Sequence, residues 1–336
     1  MRISSGKASS LIGSDAFPAV ADWRANGALF AYQALLARRE TDPDDNGLID
    51  RIAGYEQREW ERTLLRPEVF SFLAGEPTRS TWDELRDALD ADRKLVGAGG
   101  VDLMTEPGPR FTALLRVLGK GSRAESNTSA SFLPPGSAEF ARSRTSIAAA
   151  MDLLRSSTPG YAEDVRLVVD SIALVDDRAS FRGSSGAIHR GLVFLSPDDS
   201  WTPGVFAEEI LHEATHNLLD LISLRAPLIQ GDDIFEERYA APFRPDKRHV
   251  YGNLHALIVV ARLICLFDGL RSSVARDELD WAARAKDYAE RSLEPLDSVS
   301  AHPGLSPAAR HLLDHLVTPA LRQAVEAGGV ARARTC

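Results

Sequence analysis

The stretch LHEATHNLLDL, residues 211–221, carries the pattern on which both the fold class and the chemistry of this chain depend. Its two histidines, His212 and His216, are four residues apart, or about 40° around a helix axis, so both imidazoles lie on one helical face. Two imidazoles in this arrangement commonly chelate a metal ion, and Glu213 follows the first histidine directly. The spacing therefore predicts a metal-binding helix of the H-E-x-x-H type.

The residues before this motif predict how its helix begins and what precedes it. Thr202 is a good N-cap and Pro203 suits the first helical position, so we expect a helix from there to about Leu224. Short apolar runs within 164–177 and 187–197 are typical of two or three strands, with the turn FRGSSG between them. The predicted fold class is α+β and predominantly helical, with zincin-like strands followed by the HExxH helix.

The first third of the chain has the apolar spacing of amphipathic helices, and Gly-, Ser- and Pro-rich stretches that are typical of loops follow it. Helices are predicted at 17–40, 47–65, 67–75 and 81–95, and loops at 97–110 and 119–137. Later helices are expected at 138–156, at 250–270 and, as three further segments, within 274–327. We expect a helical N-terminal region over 1–130, which is a candidate for substrate binding, and a catalytic region over 131–336, both in one compact unit.

Charge and composition limit the classes of partner. The chain has 39 Lys plus Arg against 48 Asp plus Glu, a net charge of -9, which argues against nucleic acid as a partner. No apolar run is long enough for a signal peptide or a membrane span, so we expect a cytoplasmic protein without a membrane partner. Two cysteines cannot form a disulfide framework, in keeping with a reducing compartment. The sequence makes no prediction about oligomeric state.

Two histidines do not complete a catalytic metal site, so a third protein ligand is expected. The continuation HEATHNLLDLIS lacks the Gly and the third His of metzincin peptidases, which excludes that class. A thermolysin-like site would take a downstream carboxylate, and Glu236 or Glu237 lies at a tolerable distance along the chain. His255 is the other candidate, because its segment NLHALIVVARLICLF is too apolar for an ionisable ring without a partner.

An arginine in the same apolar segment suggests a carboxylate ligand. Arg262 follows His255 by seven residues and returns to within about 20° of the same helical face. A buried guanidinium requires an anion, and 2-oxoglutarate offers a metal-chelating keto acid with a second carboxylate at its far end. Arg244 and Arg248, in PFRPDKRH, are rival candidates for that second carboxylate or for a carboxylate of the substrate.

HEATHNLLD followed by RYAAPFRPDKRHVYGNLHALIVVARL resembles the HExxH-type 2-oxoglutarate-dependent peptide hydroxylases, also described as HExxH motif-containing putative peptide modification proteins. The resemblance is best from about Phe181 to Phe267. It implies iron(II)-, 2-oxoglutarate- and O2-dependent hydroxylation of a β-carbon in a ribosomally made precursor peptide. By the same resemblance His212, His216 and His255 would hold the iron, and Arg262, or less directly Arg248 or Arg244, would hold the cosubstrate.

The role of Glu213 separates the remaining interpretations. In a zinc peptidase this carboxylate would be the general base that activates the metal-bound water. In an oxygenase it would only orient a ligand or solvent through a hydrogen bond. A non-catalytic peptide-binding module with a structural metal is the third interpretation. His189, in AIHRGLVFL, is expected at an exposed position of a strand.

Overall fold

A computed structural model gives the architecture of the protein. Its described part is α+β and predominantly helical, with a small mixed sheet, which confirms the predicted class at this level. The described residues are 23–39, 46–56, 63–74, 79–90, 95–105, 111, 115, 131–176, 181–186, 189–223, 227–243, 246–276 and 278–333.

The first half of the described chain contains six helices and the first three strands. The helices are α1 (Trp23–Arg39), α2 (Asn46–Ala53), α3 (Pro67–Ala74), α4 (Arg79–Asp90), α5 (Ala138–Ser157) and α6 (Pro159–Val168). The strands are β1 (Leu95–Ala98), β2 (Val101–Met104) and β3 (Ser171–Leu174). Each of the four segments predicted as helical in the first third therefore contains a helix. However, α2 ends at Ala53 rather than near 65, and the predicted end of the fourth helix at 95 is the first residue of β1.

The second half contains the predicted metal helix. Strands β4 (Gly183–Ser184) and β5 (Leu192–Leu195) precede helix α7 (Pro203–Ser223), which carries the HExxH motif. Helices α8 (Val250–Leu270), α9 (Trp281–Ser300), α10 (Pro307–Leu312) and α11 (Thr318–Ala333) follow, and a π-helical turn, Leu313–Val317, joins the last two. The predicted bounds of α7 and α8 are confirmed to within a residue.

Local chemistry explains why α7 begins where it does. The backbone N–H of Phe206 donates to the Thr202 carbonyl and Pro203 occupies the first helical position. Glu278 accepts a hydrogen bond at 2.8 Å from the N–H of Gly204, which places a carboxylate at the positive end of the helix dipole. A Cβ at Gly204 would lie 2.5 Å from the Trp281 ring, so only glycine permits this close approach.

The sheet has the strand order β1-β2-β3-β5-β4. Strands β1 and β2 form an antiparallel hairpin, whereas β3 pairs in parallel with β2 and with β5. The predicted loop over 97–110 is therefore wrong in its first half, because Gly99 and Gly100 adopt positive φ values of 64° and 98° and turn the chain between two strands. The glycines that predict a loop in this segment form the tight turn of a β-hairpin.

The strand predicted to begin near 164 is also wrong in its first part. Residues 159–168 form α6, which starts where Tyr161 and Ala162 donate their N–H groups to the Thr158 carbonyl, and β3 begins only at Ser171. Val165 and Val168 are buried on this helix. A short apolar run fits a buried helix and a buried strand equally well, which is why its spacing alone misled the prediction.

The described residues divide into two compact units. One comprises the described residues of Ala149–Val165 and Thr202–Cys336 and contains helices α7, α8 and α9. The other comprises those of Ala21–Ala148 and Arg166–Trp201 and contains the sheet. This division differs from one at residue 130, because β1 and β2 lie before that point and pair with β3 after it.

Helix α8 is long and apolar enough to cross a membrane by length and composition, with a mean hydropathy of 1.8. The expectation that no segment reaches this length is therefore wrong. However, 78% of the apolar window is buried inside the protein, as in a core helix. This burial sets the environment of His255 and Arg262, which both lie on α8.

The connection between α7 and α8 is fixed at its start, and we refer to residues 227–249 as the crossing segment, of which 244 and 245 lie outside the described residues. Gln230 and Leu228 form backbone hydrogen bonds with Gly304 and Ser306 at 2.9 and 3.0 Å. A Cβ at Gly304 would lie 1.7 Å from the Gln230 carbonyl oxygen, so this contact requires glycine. Near its end, Tyr239 and Arg248 form an antiparallel bridge.

His189 gives a pH prediction for the unit that contains the sheet. The expected exposed position is wrong, since the residue is 2% exposed and its ring lies 5.3 Å from that of Phe194. Burial lowers the pKa of His189 to about 4, against a smaller raising effect of the Ser184 backbone. The unfolded imidazole therefore takes up its proton near pH 6.5 and the folded one only near pH 4.

We expect the free energy of unfolding to fall as the pH is lowered from about 6.5 to about 4, with a contribution from His189 of up to about 3 kcal/mol. Urea unfolding at several pH values, compared between the wild type and His189→Gln, isolates this contribution as a smaller slope in the variant. His311→Gln, at an exposed position of α10, is the control. Parallel stability curves for wild type and His189→Gln would contradict the prediction.

Candidate metal centre

The structure brings together the three histidines that the sequence proposes as metal ligands. His212 and His216 are half-buried on one face of α7 with their ring centroids 5.0 Å apart. His255, from the buried helix α8, lies with its ring centroid 5.9 Å from that of His216, and the two rings are stacked at 25°. Helix packing thus supplies the third imidazole 39 residues along the chain.

The spacing of the rings can be compared with that of a metal site. Imidazole nitrogens about 2.1 Å from one ion, at ligand angles of about 90–110°, place ring centroids about 4.5–5.2 Å apart. The His212–His216 pair has this spacing, and His255 would have to approach His216 by about 1 Å. As their side chains are placed, no three His, Cys, Asp or Glu residues within the described ranges form a ligand set. The donor chemistry fits, and side-chain adjustment would complete it.

Burial favours the neutral form of two of these rings, those of His216 and His255. Burial lowers the pKa of His255 to about 3, and the charge of His249 acts in the same direction. The pKa of His216 is also well below its ordinary value, because of burial first and then of His212, His255 and Arg248. Neutral imidazole is the form that binds a metal, so protons do not compete for these nitrogens near neutral pH.

One ring nitrogen of His255, Nε2, is buried without a hydrogen-bond partner among the described residues. The ring rests against that of Tyr251, one turn earlier on α8, with centroids 4.3 Å apart. A buried ring nitrogen without an acceptor or donor costs free energy unless a further group binds it, and a metal ion at the His216 side would be such a group.

The competing carboxylate ligands lie in a different environment. Glu236 and Glu237 are both exposed on the crossing segment. Arg238 donates to Glu236 at 2.9 Å and also pairs with Asp233. Glu237 is close enough to His249 to act on its charge. Solvated carboxylates of this kind are a weaker match to a metal ligand than a buried imidazole beside His216.

Glu213 is buried on α7, with 5% of its surface exposed. It follows His212 directly, so its side chain leaves the helix about 100° away from the imidazole. Burial of a carboxylate next to a metal-ligand pair is consistent with either role that the sequence proposes for it, general base or orienting group.

Arg262 lies where the sequence predicts, two turns beyond His255, but it has a partner within the protein. Its Nη2 donates to the Asp164 carboxylate at 2.6 Å, and both side chains are buried, at 0% and 1% exposure. The guanidinium also stacks over the Tyr161 ring at 4.3 Å. Nε and Nη1 form no hydrogen bond with the described residues. The required anion is therefore supplied by α6, and a second carboxylate would have to enter a closed core.

Arg248 is half-buried at the end of the crossing segment. Its positive charge contributes to lowering the pKa of His216 and of His249, after the larger effect of burial. Arg244, the third arginine proposed from the sequence, lies outside the described residues. Of the two arginines proposed from the sequence that the structure describes, Arg262 is fully buried and Arg248 is half-buried.

Helix α7 carries a polar stripe that the predicted site does not include. Glu208, His212, His216 and Asp220 occur at every fourth residue and so follow one face of the helix. Glu208 is 1% exposed and binds Arg284 through both carboxylate oxygens at 2.8 Å, one turn before His212. The four-residue repeat could have revealed the stripe, because it extends the H-E-x-x-H spacing by one turn at each end.

Each end of this polar stripe is bound by a tyrosine from another helix. Tyr288 on α9 donates to Glu208 at 2.5 Å, and burial together with this carboxylate holds the pKa of Tyr288 far above its ordinary value, so the hydroxyl stays protonated. Tyr251 on α8 donates to Asp220 at 3.4 Å. The histidines thus lie between two tyrosine–carboxylate pairs.

A second four-residue histidine pair shows what distinguishes the centre on α7. His311 and His315 have ring centroids 4.3 Å apart, but both residues are exposed. Ring proximity alone therefore does not define a metal site. Burial and the third imidazole from α8 are the additional features at His212 and His216.

Comparisons with known proteins leave the family open. No protein-family model matches the chain, and a search of curated proteins finds no match. Function is therefore argued from the site itself.

We expect His255→Ala to raise the dissociation constant for a divalent metal by more than about 100-fold, because a direct ligand matters at least as much as the groups that orient it. Equilibrium dialysis with Co²⁺, with the visible Co²⁺ spectrum as a second readout, measures this. The double variant Glu236→Gln, Glu237→Gln tests the rival ligands, and His311→Ala is the matched histidine control. Retained affinity in His255→Ala with loss in the double variant would exclude the three-histidine site.

Proposed function

We propose that this protein is an iron(II)- and 2-oxoglutarate-dependent oxygenase that hydroxylates a β-carbon in a ribosomally made precursor peptide. The observation that carries the proposal is the position of His255. A buried, neutral imidazole, whose Nε2 forms no hydrogen bond with any residue that the structure describes, lies beside His216, whereas the carboxylates that a thermolysin-like zinc site needs are exposed. The resemblance of the segment around this site to HExxH-type peptide hydroxylases supports the same interpretation.

His212, His216 and His255 would hold the iron. Bound iron(II) would supply the oxygen chemistry, in which O2 and 2-oxoglutarate give succinate, carbon dioxide and a hydroxylated C–H position. The chain itself supplies neutral ligands, since burial keeps His255 and His216 deprotonated. It also limits water at the centre, because His255 and Glu213 are buried on the packed faces of α8 and α7.

We assign the cation for the far carboxylate of 2-oxoglutarate to Arg248 in preference to Arg262. Arg248 is half-buried and acts on the charge of His216. Arg262 has no exposed surface and is already neutralised by Asp164. A carboxylate that approached Arg262 would have to displace packed side chains and add a second negative charge to a buried pair.

A zinc hydrolase is the second candidate function, and the burial of Glu213 next to His212 favours it. In that case Glu236 or Glu237 would be the third ligand, and Glu213 would take the proton of a metal-bound water. The order of β5 followed by α7 is zincin-like and is compatible with both functions. For either enzyme we propose a cytoplasmic location, in keeping with a composition of only two cysteines.

The proposed function predicts a spectroscopic and a chemical result. Anaerobic addition of iron(II) and 2-oxoglutarate to the metal-free protein should give a weak visible charge-transfer band, because the keto acid chelates iron held by the histidines. Exposure to O2 should release succinate, measured by mass spectrometry. The matched control is His255→Ala, in which the band should be absent.

The hydrolase is tested by incubating the zinc-loaded protein with candidate peptide substrates. Cleavage of a peptide bond that depends on Glu213, measured with Glu213→Gln, together with no band and no succinate from the iron form, would overturn the oxygenase in favour of the hydrolase.

Two arginine variants should behave differently. Arg248→Met should raise the concentration of 2-oxoglutarate needed for half-maximal succinate release by at least tenfold, about 1.4 kcal/mol of lost carboxylate binding. Arg262→Met should instead lower the free energy of unfolding by about 3–5 kcal/mol, because it leaves Asp164 buried and unpaired. Urea unfolding and succinate titration separate the two effects. A selective loss of 2-oxoglutarate affinity in Arg262→Met would reverse the assignment.

A further inference from the structure

Two exposed phenylalanines of the crossing segment stand at opposite ends of the polar stripe on α7. Phe235, 65% exposed, has its ring centroid 5.7 Å from that of Tyr251, which donates to Asp220. Phe243, 37% exposed, lies 4.7 Å from Tyr288, which donates to Glu208. The same sequence of contacts, phenylalanine to tyrosine to carboxylate, thus occurs twice, once on each side of the histidines.

The two carboxylates of this repeated arrangement are separated by a distance that can be compared with the length of a peptide. Glu208 and Asp220 are twelve residues apart, or about 18 Å along the helix. An extended peptide advances about 3.3 Å per residue, so about five or six residues cover this distance. His212 and His216 occupy the two middle positions of the stripe, so a peptide that reaches both phenylalanines would have its central residues beside the histidines.

The two ends are not equivalent in charge. Phe235 lies within DDIFEER, residues 232–238, where four carboxylates accompany one arginine. Asp233 and Glu236 already pair with Arg238, while Asp232 and Glu237 are exposed carboxylates that flank Phe235 along the chain. This end is also held in place, because His302 contacts Asp233 at 3.3 Å and is itself buried. A basic side chain is the complement of such a surface.

We propose that Phe235 and Phe243 are the two anchor points of a cleft for an extended peptide with two apolar side chains five or six residues apart and a basic residue beside the one that meets Phe235. The inference rests on the proposed function in that the peptide residue midway between the anchors would be the one modified. Exposed aromatic rings with large contact area are the usual energetic centres of such surfaces. The cleft belongs wholly to the unit that contains α7, α8 and α9.

Binding of defined peptides to the full-length, iron(II)-loaded protein under argon, without 2-oxoglutarate, tests this cleft independently of turnover. The probe is a fluorescein-labelled ten-residue Gly/Ala peptide with two phenylalanines six residues apart and a lysine beside one of them. Fluorescence anisotropy compares it with a peptide that has a single phenylalanine and with one in which glutamate replaces the lysine. We expect both changes to weaken binding by about tenfold.

Protein variants locate the anchors. Phe235→Ala and Phe243→Ala should each weaken binding of the two-phenylalanine peptide by about tenfold. Binding of the peptide with a single phenylalanine should be weakened by only one of the two variants, because that peptide contacts only one of the two rings. Phe235→Leu, which retains apolar area, should lose less. Leu293→Ala is the control, since Leu293 is an apolar side chain with 43% exposure on α9. The double variant Asp232→Asn, Glu237→Gln should abolish the preference for lysine over glutamate.

The results distinguish failure of the cleft from failure of the proposed function. Affinity within twofold of wild type in both phenylalanine variants, or equal binding of the lysine and glutamate peptides, overturns the cleft even if succinate is produced. If binding of the two-phenylalanine peptide depends on both Phe235 and Phe243 but the protein never releases succinate, the cleft is supported and the oxygenase function is contradicted.

Discussion

The packing of α7 against α8 is the constraint on which the candidate site depends. His216 contacts His255, and one turn further Asp220 contacts Tyr251, so the two helices run antiparallel with their polar residues in register. Helix α8 is predominantly apolar and largely buried, which fixes its position through the hydrophobic effect. A shift of either helix by one residue would turn its histidine about 100° away from the other helix.

The apolar interface of these helices contains polar groups that must each be satisfied. Glu208 is bound by Arg284 and Tyr288, and Arg262 by Asp164, so both buried charges have a hydrogen-bonded partner. The neutral ring of His255 has no hydrogen-bond partner for its Nε2 among the described residues, and the same holds for Nε and Nη1 of Arg262. Because the His255 ring lies beside that of His216, its nitrogen is the one from which we infer an external ligand.

The same packing explains why one motif allows different chemistries. The H-E-x-x-H residues provide two ligands and a carboxylate, and neither identifies the reaction by itself. The proposed third ligand, cation and substrate surface come from α8 and the crossing segment. Arg248 and Phe235 lie on that segment, which Gly304 holds close to the turn between α9 and α10. Under this proposal the connection between α7 and α8 would determine specificity.

The sequence by itself determined the helices of the site and the donors they carry. A Thr-Pro start and regular apolar spacing fixed α7, and continuous apolarity fixed α8, because helix geometry follows from local chemistry within a few turns. The spacing of His212 and His216 likewise fixed their common face. The sequence could also single out His255 and Arg262 as unusual, since ionisable groups in an apolar helix require partners.

Only the tertiary structure decided which partners these residues have. Arg262 meets Asp164, which is 98 residues earlier and lies on a helix that the apolar run at 164–168 had suggested was a strand. Glu236 and Glu237 lie in solvent, and His255 lies beside His216. Such contacts depend on how helices from distant parts of the chain pack against one another, and that arrangement is set by the whole core rather than by any local pattern.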